Sequence, residues 1–149
     1  MIPADSDELV TALLAASDAL LRESQRLFRP HGLTAAQFNV LNILAERPAG
    51  LSQRELGDLL VVDRSNVTGL LDRLEKAGWV RRTDHPEDRR VYQVLLTTEG
   101  RKLWAAVEPR YAAAIRQVTR GMNPRRVREA IGLLRALETK AASWRQDEA

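Results

Sequence analysis

Apolar residues between Asp5 and Arg29 recur at spacings of three, four and seven. Leu9, Leu13, Ala16, Leu20 and Leu27 form one row, and Val10, Leu14, Leu21 and Phe28 a second. That period predicts one long helix with a broad apolar stripe. Asp5, followed three residues later by Glu8, predicts its start. Pro30-His31-Gly32 predicts its end, because Pro disfavours helix before it and Gly tolerates the turn. A stripe that wide needs a partner surface, which in a small protein is often a second subunit.

Shorter helices follow. Thr34-Ala35-Ala36-Gln37 is a capping-box sequence ahead of Phe38, Val40, Leu41, Ile43 and Leu44, with Pro48-Ala49-Gly50 as the stop. Ser52-Gln53-Arg54-Glu55 is a second capping box, opening a short helix with Leu56, Leu59 and Leu60. Asp63 is placed as the N-cap of another helix that runs to about Ala77 and ends at Gly78. In that helix Val67, Leu70, Leu71 and Leu74 share one face. Winding at about 100° per residue puts Ser65, Gly69, Asp72 and Lys76 opposite, with Asn66 and Arg73 on one flank and Thr68 on the other. The polar face is short and rich in hydrogen-bonding groups around a glycine. Base edges in a major groove are read by such donors and acceptors at close range.

The period then changes to two. Trp79-Val80-Arg81-Arg82-Thr83 and Val91-Tyr92-Gln93-Val94-Leu95-Leu96 read as strands, joined by the polar Asp84-His85-Pro86-Glu87-Asp88-Arg89-Arg90 into a β-hairpin. Helix resumes near Thr97-Thr98-Glu99-Gly100, with Leu103, Trp104, Val107, Tyr111 and Ile115 on one side. Asn123-Pro124 is an N-cap followed by Pro at the first helical position. The last helix carries Val127, Ile131, Leu134 and Leu137, then Trp144. The predicted class is mainly α with a small β-hairpin wing.

Composition narrows the functions. The chain has 149 residues and no cysteine, which removes disulfide scaffolds, thiolate zinc sites, iron–sulfur clusters and cysteine redox sensing. His31 and His85, the two histidines, lie in different elements, so neither a metal site nor a histidine-based catalytic site is expected. No phosphate-binding glycine loop, nucleophile elbow or zinc-protease motif occurs. The expectation is therefore no cofactor and no enzyme activity. No apolar run reaches the roughly 18 residues of a membrane span. Met1-Ile2-Pro3-Ala4-Asp5 has no basic start before an apolar stretch, so a cytoplasmic protein is expected.

Net charge is +3, which permits nucleic-acid binding without establishing it. The excess sits in residues 101–149, with 11 basic and 5 acidic side chains, whereas residues 61–100 hold 7 of each. A DNA-binding reading of residues 61–100 therefore requires the acids to act as caps or ion-pair partners while arginines face outward. Arg116, Arg120, Arg125, Arg126 and Arg128 are read as the solvated side of the final helices, adding long-range steering.

The order of elements is a winged helix-turn-helix set between helical ends. Leu51-Ser52-Gln53-Arg54-Glu55-Leu56, Leu70-Leu71-Asp72-Arg73-Leu74-Glu75-Lys76-Ala77-Gly78-Trp79-Val80, Arg81-Arg82 with Asp84-His85-Pro86-Glu87-Asp88-Arg89-Arg90, and Leu96-Thr97-Thr98-Glu99-Gly100 resemble the multiple-antibiotic-resistance regulator (MarR) family of bacterial transcription factors. The resemblance implies a homodimer whose helices at 5–30 and 98–147 pair the subunits, with residues 34–97 as the DNA-binding lobe. It places Ser65, Asn66, Thr68 and Gly69 at bases, and Arg64 and Arg73 at bases or phosphates. Arg89 would enter the minor groove as a reader of electrostatic potential, and Arg90, paired with Asp88 or Asp63, would brace the wing. Ser52 and Gln53 would offer backbone N–H groups to a phosphate. A small aromatic or anionic effector is implied near His31, Phe38, Asn42 and Tyr111. The implied function is a repressor on a pseudo-palindromic promoter site. The alternative is a dimeric winged-helix module that binds protein rather than DNA.

Overall fold

The computed structural model describes residues 3–61, 64–85, 87–88 and 90–143, with the backbone alone at 64. Its elements are α1 (Ala4–Phe28), a 3₁₀ turn (Arg29–His31), α2 (Ala35–Ala45), β1 (Leu51–Ser52) and α3 (Gln53–Leu59). A second 3₁₀ turn (Arg64–Asn66) leads into α4 (Val67–Lys76), then β2 (Val80–Asp84), β3 (Tyr92–Leu96), α5 (Thr98–Val118) and α6 (Pro124–Ser143). Two compact units result, one running to Ala112 and the other from Ala113.

The first unit is built around one apolar cluster. Phe28, Leu33, Phe38, Val40, Leu41, Leu44, Leu56, Leu60, Leu70, Leu71, Leu74, Val80, Val94 and Val107 are all buried, so every α-helix and strand from the end of α1 to α5 contributes except β1. Gln25 ties α1 to α2 at both of its side-chain atoms. Its amide donates to the Leu33 carbonyl at 3.1 Å and its oxygen accepts from the Ala35 N–H at 3.0 Å. Without that bridge the turn between the helices would leave backbone groups unpaired.

Both predicted capping boxes form. Thr34 Oγ1 accepts from the Gln37 N–H and Gln37 returns the bond to the Thr34 N–H. Ser52 and Glu55 do the same for α3. Asn123 accepts from the Arg125 N–H at 2.9 Å, with Pro124 opening α6.

Three expectations at element starts need correction. The start of α1 has Pro3 as its N-cap with no side-chain bond, so Asp5 and Glu8 do not form a box there. Asp5 and Asp7 lie in the first turn instead, where a negative charge complements the helix dipole. The helix expected from Asp63 is α-helical only from Val67. Its cap is Asn66, whose side chain makes no capping bond, and Arg64, Ser65 and Asn66 belong to the tighter 3₁₀ turn. Asp63 lies outside the described residues. The strands start one residue later than expected, and the hairpin gains a third strand.

That third strand is β1. The sheet order is β1-β3-β2, all antiparallel. Leu51 pairs with Val94 and Ser52 with Gln93, while β2 runs from Val80 opposite Leu96 to Asp84 opposite Tyr92. Gly50 makes the approach to β1 possible. Its φ is +81°, and a Cβ there would lie 2.6 Å from the Val94 carbonyl oxygen. Only glycine meets both demands at low cost.

In the second unit α6 buries no residue along its length, and Ile131, Leu133 and Leu134 are exposed. Within the first unit, α1 leaves Val10, Leu14, Leu20 and Leu21 exposed. Among the described residues no helix is long and apolar enough to cross a membrane.

Candidate nucleic-acid interface

The α4 helix has two opposite faces. Leu70, Leu71 and Leu74 are at most 1% exposed, while Ser65, Asn66, Thr68, Asp72, Arg73 and Lys76 are open to solvent. The 3₁₀ turn extends this polar face ahead of the helix, so Ser65 and Asn66 sit at its leading end. Of Arg64 only the backbone is described, and Arg89 lies outside the described residues.

Gly69 plays a different part from the one its size suggests. A Cβ at Gly69 would lie 2.6 Å from Asn66 Oδ1, so the space above it holds the Asn66 amide. Its close approach is to Asn66, in the adjoining 3₁₀ turn. Gln53 and Thr68 are also engaged with one another: the Gln53 amide donates to Thr68 Oγ1 at 2.7 Å, joining α3 to α4. The Thr68 hydroxyl keeps its proton for an outside acceptor.

Ser52 departs from expectation for a clear chemical reason. Its N–H donates to the Glu55 carboxylate at 2.8 Å and its hydroxyl to the same oxygen at 2.7 Å. The Ser52 N–H is therefore not free for a phosphate, and an anion already occupies that end of α3. The Ser52 hydrogen bonds hold the Glu55 carboxyl below its ordinary value of 4.5. A carboxylate lowered on folding stabilises the fold at pH above its unfolded value, and the gain is lost as pH falls through the lowered value. Glu55→Gln should therefore melt below the wild type at pH 6, and the gap should start to close as pH falls past 4.5 and vanish only below the lowered value, as read by circular dichroism melts across a pH series.

Arg82 joins the site with no role foreseen for it in the sequence pattern. Its guanidinium donates to Asp72 at 2.7 Å and to Glu75 at 2.9 Å, and its backbone N–H donates to Glu75 at 2.9 Å. Three bonds thus fasten β2 of the wing to α4. The Arg82 side chain is 19% exposed. Burial works against its charge, but the bonds to the two carboxylates outweigh that and hold it charged beyond its ordinary range. The planar fork spans two acids, which a lysine ammonium cannot reproduce. Arg82→Lys should cost roughly 1 kcal/mol, discounted because both carboxylates are substantially exposed. Urea unfolding of the pair would show it as a lower midpoint at unchanged slope.

Arg90 bonds to Asp88 through its N–H at 3.0 Å, Nε at 3.1 Å and Nη2 at 3.3 Å, taking the first of its two expected partners. Those bonds hold the Asp88 carboxyl below its ordinary range. The charge balance is thereby rearranged. Asp72, Glu75 and Asp88 are consumed in ion pairs, while Arg54, Arg73, Lys76 and Arg81 stay exposed with no acid partner among the described residues. Asp84 and Glu87 remain exposed near the hairpin tip.

A cavity of 170 Å³ has a lining, drawn mainly from α1, α2 and α5, that includes Phe38, Asn42 and Tyr111. Phe28 stacks on Phe38 at 4.3 Å between ring centroids, and Tyr111 meets Phe38 edge-on at 5.0 Å. Asn42 accepts from the Trp104 indole at 3.0 Å. His31, expected with them, is not part of the lining. Its Nε2 is buried with no hydrogen-bond partner among the described residues, in the 3₁₀ turn after α1.

Residues 31–91 match the MarR family model. The chain is 28% identical to the homoprotocatechuate degradative operon repressor of Escherichia coli over 95% of both chains. Its fold is similar to Sco3205, a MarR family transcriptional regulator from Streptomyces coelicolor solved in complex with DNA. That match has a TM-score of 0.83 and 27% identity, covering 93% of this chain and 88% of the other. It is also similar to CouR from Rhodococcus jostii RHA1 bound to p-coumaroyl-CoA, with a TM-score of 0.80 and 29% identity over 91% and 95% of the chains.

Proposed function

The chain belongs to the MarR family, and from that premise we propose that it is a sequence-specific, ligand-responsive transcriptional repressor, a homodimer on a pseudo-palindromic promoter site. The observation that carries this reading is α4. Its leucine face is buried, its hydrogen-bonding face is open, and Arg82 holds it to the wing. A helix presented in that way suits a major groove, with the wing reaching the backbone or groove beside it.

In this reading Ser65, Asn66 and Thr68 meet base edges, Arg64 and Arg73 meet bases or phosphates, and Arg89 enters the minor groove. Residues 34–97 bind DNA, and residues 5–30 and 98–147 pair the subunits. The uncovered Val10, Leu14 and Leu21 on α1 and Ile131 and Leu134 on α6 supply apolar surface for that pairing. The protein acts in the cytoplasm by binding rather than catalysis, and competes with RNA polymerase for its site. An effector in the cavity beside Phe38 prefers the arrangement that does not bind DNA, which shifts the population away from the operator.

The test is fluorescence anisotropy on the DNA upstream of its own gene and on a scrambled duplex, across a salt series. Preference for the upstream duplex is expected, with log affinity falling linearly against log salt. Arg73→Ala should reduce that slope by about 1, the share of a single phosphate neutralised by its guanidinium. Absence of binding to either duplex at low salt, with the protein folded, would overturn the reading in favour of a protein partner.

A further inference from the structure

Gln53 and Thr68 meet in the angle between α3 and α4, where the Gln53 amide nitrogen donates to Thr68 Oγ1 at 2.7 Å. Both ends of this bond are held from behind. The Ser52–Glu55 capping box sets the start of α3, and Gln53 is its first helical residue. Leu56 is buried on the inner side of α3, as Leu70 and Leu71 are on that of α4. Gly57 lets the two helices come close, since a Cβ there would lie 3.3 Å from Val67 Cγ2. Gln53 is half-buried in this angle, whereas Thr68 is exposed.

The bond decides which chemistry Thr68 shows. A threonine hydroxyl has one proton to give and two lone pairs that receive. In a helix the proton can go to the carbonyl four residues back. Thr119 gives it to Ile115 at 2.8 Å, and Thr139 to Arg135 at 3.0 Å. Thr68 differs. Four residues back lies Arg64, in the 3₁₀ turn rather than in α4, and among the described residues the Thr68 hydroxyl donates to nothing. Gln53 fills a lone pair, so the proton is left for a group outside the protein, beside the side chain's own methyl. A donor next to a methyl has a good complement in thymine, which shows the O4 acceptor with the C5 methyl beside it. Cytosine has an N4 donor in place of O4 and no methyl. Both are pyrimidines, so the polarity of one hydrogen bond separates them better than size does.

We infer that Gln53 is a positioning residue that holds Thr68 as a hydrogen-bond donor, and that Thr68 so held selects thymine over cytosine in each half-site. The inference rests on the repressor reading and names part of what the repressor recognises. The Gln53 side chain touches no base and acts through Thr68.

The probe is a pool of DNA duplexes with randomised half-sites, from which the full chain selects. Sequencing gives the preferred bases, and anisotropy then compares single-base variants. Gln53→Glu is the decisive substitution. A carboxylate has no proton to donate, so it accepts from the Thr68 hydroxyl and reverses the bond. Thr68 then shows lone pairs alone, and the cytosine N4 donor becomes its complement. The added negative charge lowers affinity for every duplex alike. The readout is therefore the ratio of affinities, which a structural role would not move. For the wild type, thymine to cytosine at one position per half-site should cost about tenfold. Gln53→Glu should reverse the preference at that position and leave the others unchanged. Thr68→Val keeps the shape without the hydroxyl and should level the preference there. In the Thr68→Val background, Gln53→Glu should produce no shift.

The same bases selected by Gln53→Glu and by the wild type would overturn the inference and leave the repressor reading standing. A wild-type preference for cytosine at the position that Thr68→Val levels would overturn the polarity. A shift that persists in the double variant would place residue 53 on the base itself and overturn the role of Thr68. If Thr68→Val selects nothing, Gln53→Glu alone decides: a change from thymine to cytosine supports the inference, and no change ends it. If the wild type selects no sequence, the repressor reading falls and the inference falls with it.

Discussion

Gly100→Ala should unfold most of the first unit at temperatures where the wild type is folded. A Cβ at Gly100 would lie 1.9 Å from the Trp79 carbonyl oxygen and 2.9 Å from its carbon. Both are backbone atoms, so no side chain can swing aside. That carbonyl is itself held: it accepts the Thr97 N–H at 3.1 Å, while the Thr97 hydroxyl donates to the Gly78 carbonyl at 2.6 Å. The Gly100 N–H in turn donates to Thr97 Oγ1 at 2.9 Å. Relief of the clash requires moving α5 off the base of the hairpin and breaking this set together. Overpacking usually costs about 1–3 kcal/mol, and a clash between two backbones belongs at or above the top of that range. Against a total stability of about 5–15 kcal/mol this is a large fraction. Gly132→Ala gives the opposite sign. Its Cβ meets nothing within 4 Å in the middle of α6, so it should gain about 0.5–1 kcal/mol from helix propensity. Chemical unfolding of the two variants beside the wild type checks both, and a Gly100→Ala midpoint equal to the wild type would refute the clash.

Leu71→Ala should remove about 2–5 kcal/mol, the range for a fully buried leucine whose surroundings relax only in part. Leu71 is 0% exposed on the inner face of α4, next to Leu70 and Leu74. Its loss leaves a void directly behind the surface proposed to read DNA. Operator affinity should fall with stability, since α4 is held by this face and by Arg82. Leu134→Ala is the contrast. At 41% exposure in one chain it should hardly change the unfolding of a single subunit, and should act on subunit association, measurable by sedimentation at a series of concentrations. A Leu71→Ala midpoint within experimental error of the wild type would show that α4 is seated elsewhere.

Legibility in the sequence follows the range of each interaction. The capping boxes at Thr34 and Ser52 are readable because both partners lie within four residues and local geometry decides them. The inner face of α4 is readable because Leu70, Leu71 and Leu74 keep the helical period. The Arg82 fork is not, since Asp72 and Glu75 lie ten and seven residues away, across a turn whose folded geometry brings them together. β1 is hidden as well. Two residues are too few to show an alternating pattern, and Ser52 already declares itself as a cap. Gly69 misleads because composition says how much room a glycine leaves, not which neighbour takes it. The cavity is legible in part. Phe38, Asn42 and Tyr111 meet there, but Asn39 and Val61 carry no signal, because their bond joins positions 22 residues apart.

The double duty of Ser52 has a further consequence. It ends β1 opposite Gln93 and begins α3 as its cap, so the sheet and the helix-turn-helix share one residue at their junction. At the sheet's base Val80 faces Leu96, and Thr97 clamps the strand ends to Gly78. A one-residue slip of β3 would turn Val94 out of the core, and it would have to break all of these attachments at once. The far end carries no such restraint. The His85 N–H closes the loop on the Val91 carbonyl at 2.9 Å, and beyond that pair no core residue intervenes among the described residues. A residue inserted between His85 and Val91 should therefore leave the melting temperature almost unchanged, whereas one inserted into β3 should lower it sharply.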